Sequence, residues 1–109
     1  QDELEAPEQP VTRRTALKGV WPLPARDGAT VSFTADDERW GESEPTTVAV
    51  YDVSGRVVRT LVDRPLPAGD HERHWDLRND RGSLVASGCY LVVLERAGRR
   101  DVSKALVLR

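Results

Sequence analysis

The stretch from Thr47 to Val62 holds two β-branched segments, Thr47-Val48-Ala49-Val50-Tyr51 and Val57-Val58-Arg59-Thr60-Leu61-Val62, joined by a short polar loop with Ser54-Gly55. Val48 and Val50 alternate with Ala49 and Tyr51, the period of two that turns one face of a pleated strand inward. Ser54 supplies a hydroxyl for local hydrogen bonds, and Gly55 tolerates a positive φ without steric cost. Branched side chains crowd the preceding turn of a helix but fit a pleated surface, so the stretch reads as a β-hairpin.

Other segments repeat the pattern on either side. Asp27-Gly28 is turn chemistry leading into Ala29 to Thr34, where Val31 and Phe33 share one face and Thr30, Ser32 and Thr34 the other. His71 to Asp76 is a short strand carrying Trp75, predicted to anchor the core against Val50, Tyr90 and Val92. Cys89 to Glu95 is apolar on both faces, as expected of a central strand, and Asp101 to Leu108 is the last strand. Turn signals separate them at Asn79 to Gly82, Ser87-Gly88 and Ala97-Gly98. Asp63 to Asp70 reads as a loop, because Pro65 and Pro67 cannot donate to a sheet ladder. Strands at this spacing predict an all-β fold, an antiparallel β-sandwich of about seven strands.

The ends of the chain differ from its middle. Asp2, Glu3, Glu5 and Glu8 are the only charged residues before Val11, and with two prolines the first ten residues hold too little apolar surface to offset the entropy of ordering. Val11 to Trp21 is transitional: Thr15, Leu17, Val20 and Trp21 suggest a first strand, but Arg13-Arg14 and Lys18-Gly19 weaken the alternation. The division expected is a flexible N-terminal arm over 1–21 and a sandwich over 22–109. The start at Gln1 fits processed material or a piece of something longer.

Charge excludes several roles. Sixteen basic against eighteen acidic side chains leave a net charge of −2, which gives no general attraction to nucleic acid or anionic lipid. No apolar run is long enough for a direct membrane span. Candidate chemistry is sparse. His71 and His74 point to opposite faces of a strand and lack a third ligand for zinc. Asp76, Asn79 and Asp80 offer oxygen atoms, but Asx-turn chemistry accounts for them and their spacing is not that of an EF-hand loop. Cys89 sits on an apolar strand without a base or partner cysteine, so it is an inert thiol or an intermolecular link. No serine lies in a nucleophile elbow and no glycine-rich loop opens a helix, so neither catalysis nor a cofactor is expected.

The ordered series Val50-Tyr51-Asp52-Val53-Ser54-Gly55-Arg56-Val57-Val58-Arg59-Thr60-Leu61, Leu66-Pro67-Ala68-Gly69, Trp75-Asp76, Asp80-Arg81-Gly82, Val85-Ala86-Ser87-Gly88 with Tyr90, and Lys104 to Arg109 resembles the Ig-like domain of flagellar hook-capping proteins. It is similar as well to the C-terminal sorting modules of type IX secretion cargo. The resemblance covers roughly Gly28 to Arg109. It implies an Ig-like, non-catalytic module of bacterial secreted or surface proteins, extracytoplasmic in the periplasm, at the cell surface or outside.

The expected role is that of an accessory structural subunit or an anchoring and sorting domain. Its expected partners are other protein subunits, within a large or membrane-associated assembly. Candidate contact residues are Leu17, Val20 and Trp21 of the arm and Trp40 of the acidic loop Ala35 to Pro45, with an unpaired sheet edge accepting a partner strand. The alternative is a ligand-binding module, for carbohydrate or calcium, that uses Trp40 beside Asp36, Asp37 and Glu42.

Overall fold

The structure, a computed structural model, describes residues 15–35 and 43–109. Seven strands follow in order: β1 (Ala16–Trp21), β2 (Ala29–Ala35), β3 (Glu44–Tyr51), β4 (Val57–Leu66), β5 (Gly69–Trp75), β6 (Gly88–Arg96) and β7 (Arg99–Val107). They form a three-stranded sheet, β1-β2-β5, and a four-stranded sheet, β4-β3-β6-β7, with every named pairing antiparallel. The two sheets enclose one core, in which Val31, Phe33, Val48, Val50, Val92 and Leu94 are fully buried. The alternation read in Ala29–Thr34 and Thr47–Tyr51 therefore sorts side chains between core and exterior as the pleat requires.

The predicted hairpin forms between β3 and β4. Asp52 Oδ1 accepts hydrogen bonds from Ser54 N, Ser54 Oγ and Arg56 N at 2.9, 2.6 and 3.0 Å, and Gly55 takes φ 92°. The side-chain hydrogen bond from Ser54, followed by the Arg56 amide, holds the Asp52 carboxyl below the usual 3.8.

Two boundaries differ from the sequence reading. Ala16–Trp21, assigned to the N-terminal arm, is a strand paired along β2, so the sandwich begins at β1 and not at Pro22. A register shift between Leu17 and Gly19 explains why the alternation looked weak: the extra residue, Lys18, lets Leu17 and Val20 both face inward although they are three apart. Asp63 to Leu66, read as loop, continues β4 with Pro65 opposite Pro45. β4 is an edge strand, where the missing N–H of proline removes no bond that the sheet needs.

Trp75 is fully buried at the end of β5, its ring edge-on to Tyr90 at a centroid distance of 5.6 Å. Its indole Nε1 donates to Arg78 O at 3.0 Å, and the hydroxyl of Tyr90, at the start of β6, donates to Ala86 O at 2.6 Å. The second contact is a tyrosine corner, which ties the crossing between sheets to the strand that follows it. Burial raises the Tyr90 pKa above 10.0. Leu77, in the same crossing, is buried at φ 62°, a left-handed position that nothing in the sequence signals.

Removing residues 1–21 takes β1 from the sandwich and exposes Val31 and Phe33, so the shortened chain should have a clearly lower denaturant midpoint than the whole one. Tyr90→Phe, which deletes one buried hydrogen bond, should cost about 1 kcal/mol by the same measurement. For Asp52 the depressed folded pKa means its contribution is present above the unfolded value near 3.8 and lost as pH falls through the folded value. Denaturation followed from neutral to strongly acidic pH should therefore show an acid limb that Asp52→Asn flattens.

Candidate interaction surface

The four sheet edges offer little room for a partner strand. On β4, Asp80 N donates to Val58 O at 2.9 Å and Asp80 Oδ1 accepts from Thr60 N at 3.1 Å, while Pro65 blocks the far end. Along β7, Ala25 N donates to Leu106 O at 2.7 Å, and Ala25 O accepts from Leu108 N at 2.9 Å. The backbone N of Leu17 on β1 donates to Asp101 Oδ2 at 2.8 Å, which binds the opposite sheet. β5 carries Arg73 half-buried and faced inward, a charge that discourages edge pairing.

The contact residues expected from the sequence are placed differently from one another. Val20 is 6% exposed in the core cluster, and Leu17 packs against that cluster, so neither is presented to a partner. Trp21 is 46% exposed on the outer face of the three-stranded sheet, in one row with Thr30 and His74. Its six-membered ring lies above Gly19, where a Cβ would sit 3.5 Å from Cε3 and Cζ3. Trp40 and the acidic residues Asp36, Asp37, Glu38 and Glu42 lie outside the described residues.

Potential ligand groups are engaged in the fold. Asp76 Oδ1 accepts from Arg59 Nη1 at 2.9 Å and from Arg78 N at 3.0 Å, and Asn79 Oδ1 accepts from Arg81 N and Ser83 N. The ring of His71 stacks on Phe33 at 5.3 Å, its Nε2 2.8 Å from Pro67 O, and His74 faces outward against Gly28. Among the described residues no three of His, Cys, Asp or Glu gather as a metal site. Cys89 is a free thiol, half-buried.

The outer face of the four-stranded sheet is a surface that the sequence reading did not single out. Opposite partners share a face, so three rows run across β4, β3, β6 and β7 in that order. Asp63, Thr47, Glu95 and Arg100 form a charged row; Thr60, Ala49, Val93 and Val102 form the next; Val57, Tyr51, Leu91 and Lys104 form the third. Beyond them Cys89 lies opposite Leu106. Ala49 and Val93 are buried although neither belongs to the core cluster, while Val57, Val102 and Leu106 are 51, 45 and 48% exposed. The sequence signal was the unbroken apolar run of β6, read as the mark of a central strand; half of its side chains are turned away from the core.

Two sheets of three and four strands locked by a tyrosine corner define an immunoglobulin-like sandwich. The chain belongs to the FlgD Ig-like domain family, whose sequence profile matches residues 27–99. Two solved structures from Porphyromonas gingivalis share the fold. Dimeric latent PorU is 27% identical with a TM-score of 0.61, over 82% of this chain and 9% of that one. PorZ, a surface component of the type IX secretion system, is 23% identical with a TM-score of 0.57, over 84% of this chain and 11% of that one. The chain thus spans about a tenth of either protein. No curated protein matches it.

The placement of the two neighbouring β1 residues is testable by substitution. Val20→Ala should destabilise the fold by about 2 kcal/mol through lost burial and a residual cavity, whereas Trp21→Ser should cost less than about 1 kcal/mol. Urea denaturation of both variants provides the comparison.

Proposed function

We propose that this chain is a non-catalytic, extracytoplasmic module acting through protein–protein contacts, as an accessory structural subunit of a larger complex or as an anchoring and sorting domain. The observation that carries this reading is the apolar outer face of the β4-β3-β6-β7 sheet. An antiparallel sheet with one face on the core ordinarily turns polar side chains to water on the other. Here Val57, Leu91, Val102 and Leu106 occupy outward positions around the shielded Ala49 and Val93. An apolar cluster of this kind, interrupted only by Thr60 and Lys104, is characteristic of a contact surface.

The family and the fold shared with PorU and PorZ support a place on the bacterial surface or in the periplasm. The blocked edges favour contact through a face over the addition of a partner strand. Native mass spectrometry on material from the source should find the chain in a particle heavier than its own 12.1 kDa. Leu91→Glu combined with Val102→Glu should release it from that particle while leaving it folded. Recovery of the unmodified chain as a monomer under every native condition would overturn the reading.

A further inference from the structure

The outer face of the three-stranded sheet carries the most exposed aromatic ring among the described residues. Val31 and Phe33 turn toward the core, so Thr30, Ser32 and Thr34 of β2 face outward. Three rows cross this face from β1 to β5: Trp21, Thr30 and His74; Gly19, Ser32 and Glu72; Ala16, Thr34 and Asp70. The indole of Trp21 leans out of its own row toward the second, with Cε3 and Cζ3 3.5 Å from where a Cβ on Gly19 would sit. It overhangs the row that holds Ser32.

Ser32 is 8% exposed, yet among the described residues its hydroxyl has no hydrogen-bond partner. A buried hydroxyl ordinarily has one, because leaving it without costs stability. The hydroxyl of Thr30, in the next row, has none among the described residues either. Glu72 and His74, both exposed, stand across from these two on β5. Thr30 and His74 also line a cleft with Pro22, Pro24 and Asp27.

These groups select a class of ligand. The charges at one end are already answered, since Asp70 takes Lys18 Nζ at 3.6 Å and the Thr34 hydroxyl at 2.9 Å. At the other end Arg26 and Asp27 are of opposite sign, and a phosphate or uronate laid on the indole would meet the Glu72 carboxylate. An apolar chain in the same place would leave the hydroxyls of Ser32 and Thr30 stranded. A neutral sugar ring meets every group: its C–H face packs on the indole, and its hydroxyls, which both donate and accept, reach Ser32, Thr30 and Glu72.

We infer that this face binds a neutral saccharide, with Trp21 as the platform and Ser32, Thr30 and Glu72 as the hydrogen-bonding groups. The site lies on the opposite side of the sandwich from the apolar face of the four-stranded sheet, and it goes beyond the protein-contact reading without resting on it.

Nuclear magnetic resonance titration of the isotope-labelled full chain tests it, with linear hexasaccharides of glucose, mannose, galactose and N-acetylglucosamine as neutral probes and hexagalacturonate as the charged one. At least one neutral probe should shift the Trp21 indole N–H together with the Ser32 and Thr30 amides, with a Kd of about 1 mM or tighter. Trp21→Ala should weaken binding by more than about tenfold with an unchanged circular dichroism spectrum. Ser32→Ala should weaken it roughly fivefold and leave the urea midpoint of the free chain unchanged, because the unliganded fold loses no hydrogen bond; a merely structural serine would lower that midpoint.

No shift with any neutral probe, or a response to hexagalacturonate alone, overturns the inference, as does sugar binding that survives Trp21→Ala. If no sugar binds but Trp21→Ala releases the chain from its native particle, the indole is a protein contact: the saccharide falls and the protein-contact reading stands. Sugar binding by a chain that is a monomer under every native condition has the converse meaning.

Discussion

The sandwich depends on the burial of Trp75. Its indole is fully enclosed, and an enclosed N–H must find an acceptor or cost the protein its desolvation. The acceptor is Arg78 O, three residues on, so the chain must turn back sharply as it leaves β5. That turn places Leu77 in the core and brings Asp76 to Arg59 and Asp80 to the edge of β4. Tyr90 then packs edge-on to Trp75 and secures the return of the chain through Ala86. One buried aromatic therefore organises the crossing between sheets, the sealing of an edge and the entry into β6.

What the sequence revealed follows from which interactions are local. The hairpin between β3 and β4 was legible because alternation and turn chemistry lie within sixteen consecutive residues, and Asp52 to Arg56 closes it with its own hydrogen bonds. The core role of Trp75 was legible because few other residues in an aromatic-poor chain can fill that volume. The status of Ala16–Trp21 was not, because the bulge at Lys18 shifts the phase of its pattern and only pairing with β2 corrects it. Pro65 misled for a related reason: whether a missing N–H matters depends on a strand's position in the sheet, which the sequence does not display.

The contact surface shows the same division. Leu17 and Val20 are apolar and near the acidic tail, which made them candidates, yet the sheet turns both inward. Leu91 was read within a strand apolar on both faces, and Val102 and Leu106 within the last strand; all three face outward. An apolar residue on a strand has two destinations, and pairing geometry selects between them. The apolar run of β6 held the clue, since an outer sheet in a two-layer fold needs apolar side chains on one face only.

The bridge from Ala25 to β7 bears on how the domain meets force. Ala25 lies near the start of the sandwich and Val107 near its end, and the bridge between them is parallel. When the two ends are pulled apart, the bonds of Ala25 to Leu106 and Leu108 are loaded lengthwise and together. Neither bond can open ahead of the other, as it would at the end of a peeled hairpin. The bond from Leu17 to Asp101 ties β1 itself to β7 further along. Tension between Ala25 and Val107 would thus meet a clasp held in shear, with β1 and its buried Val20 lying on the N-terminal side of it.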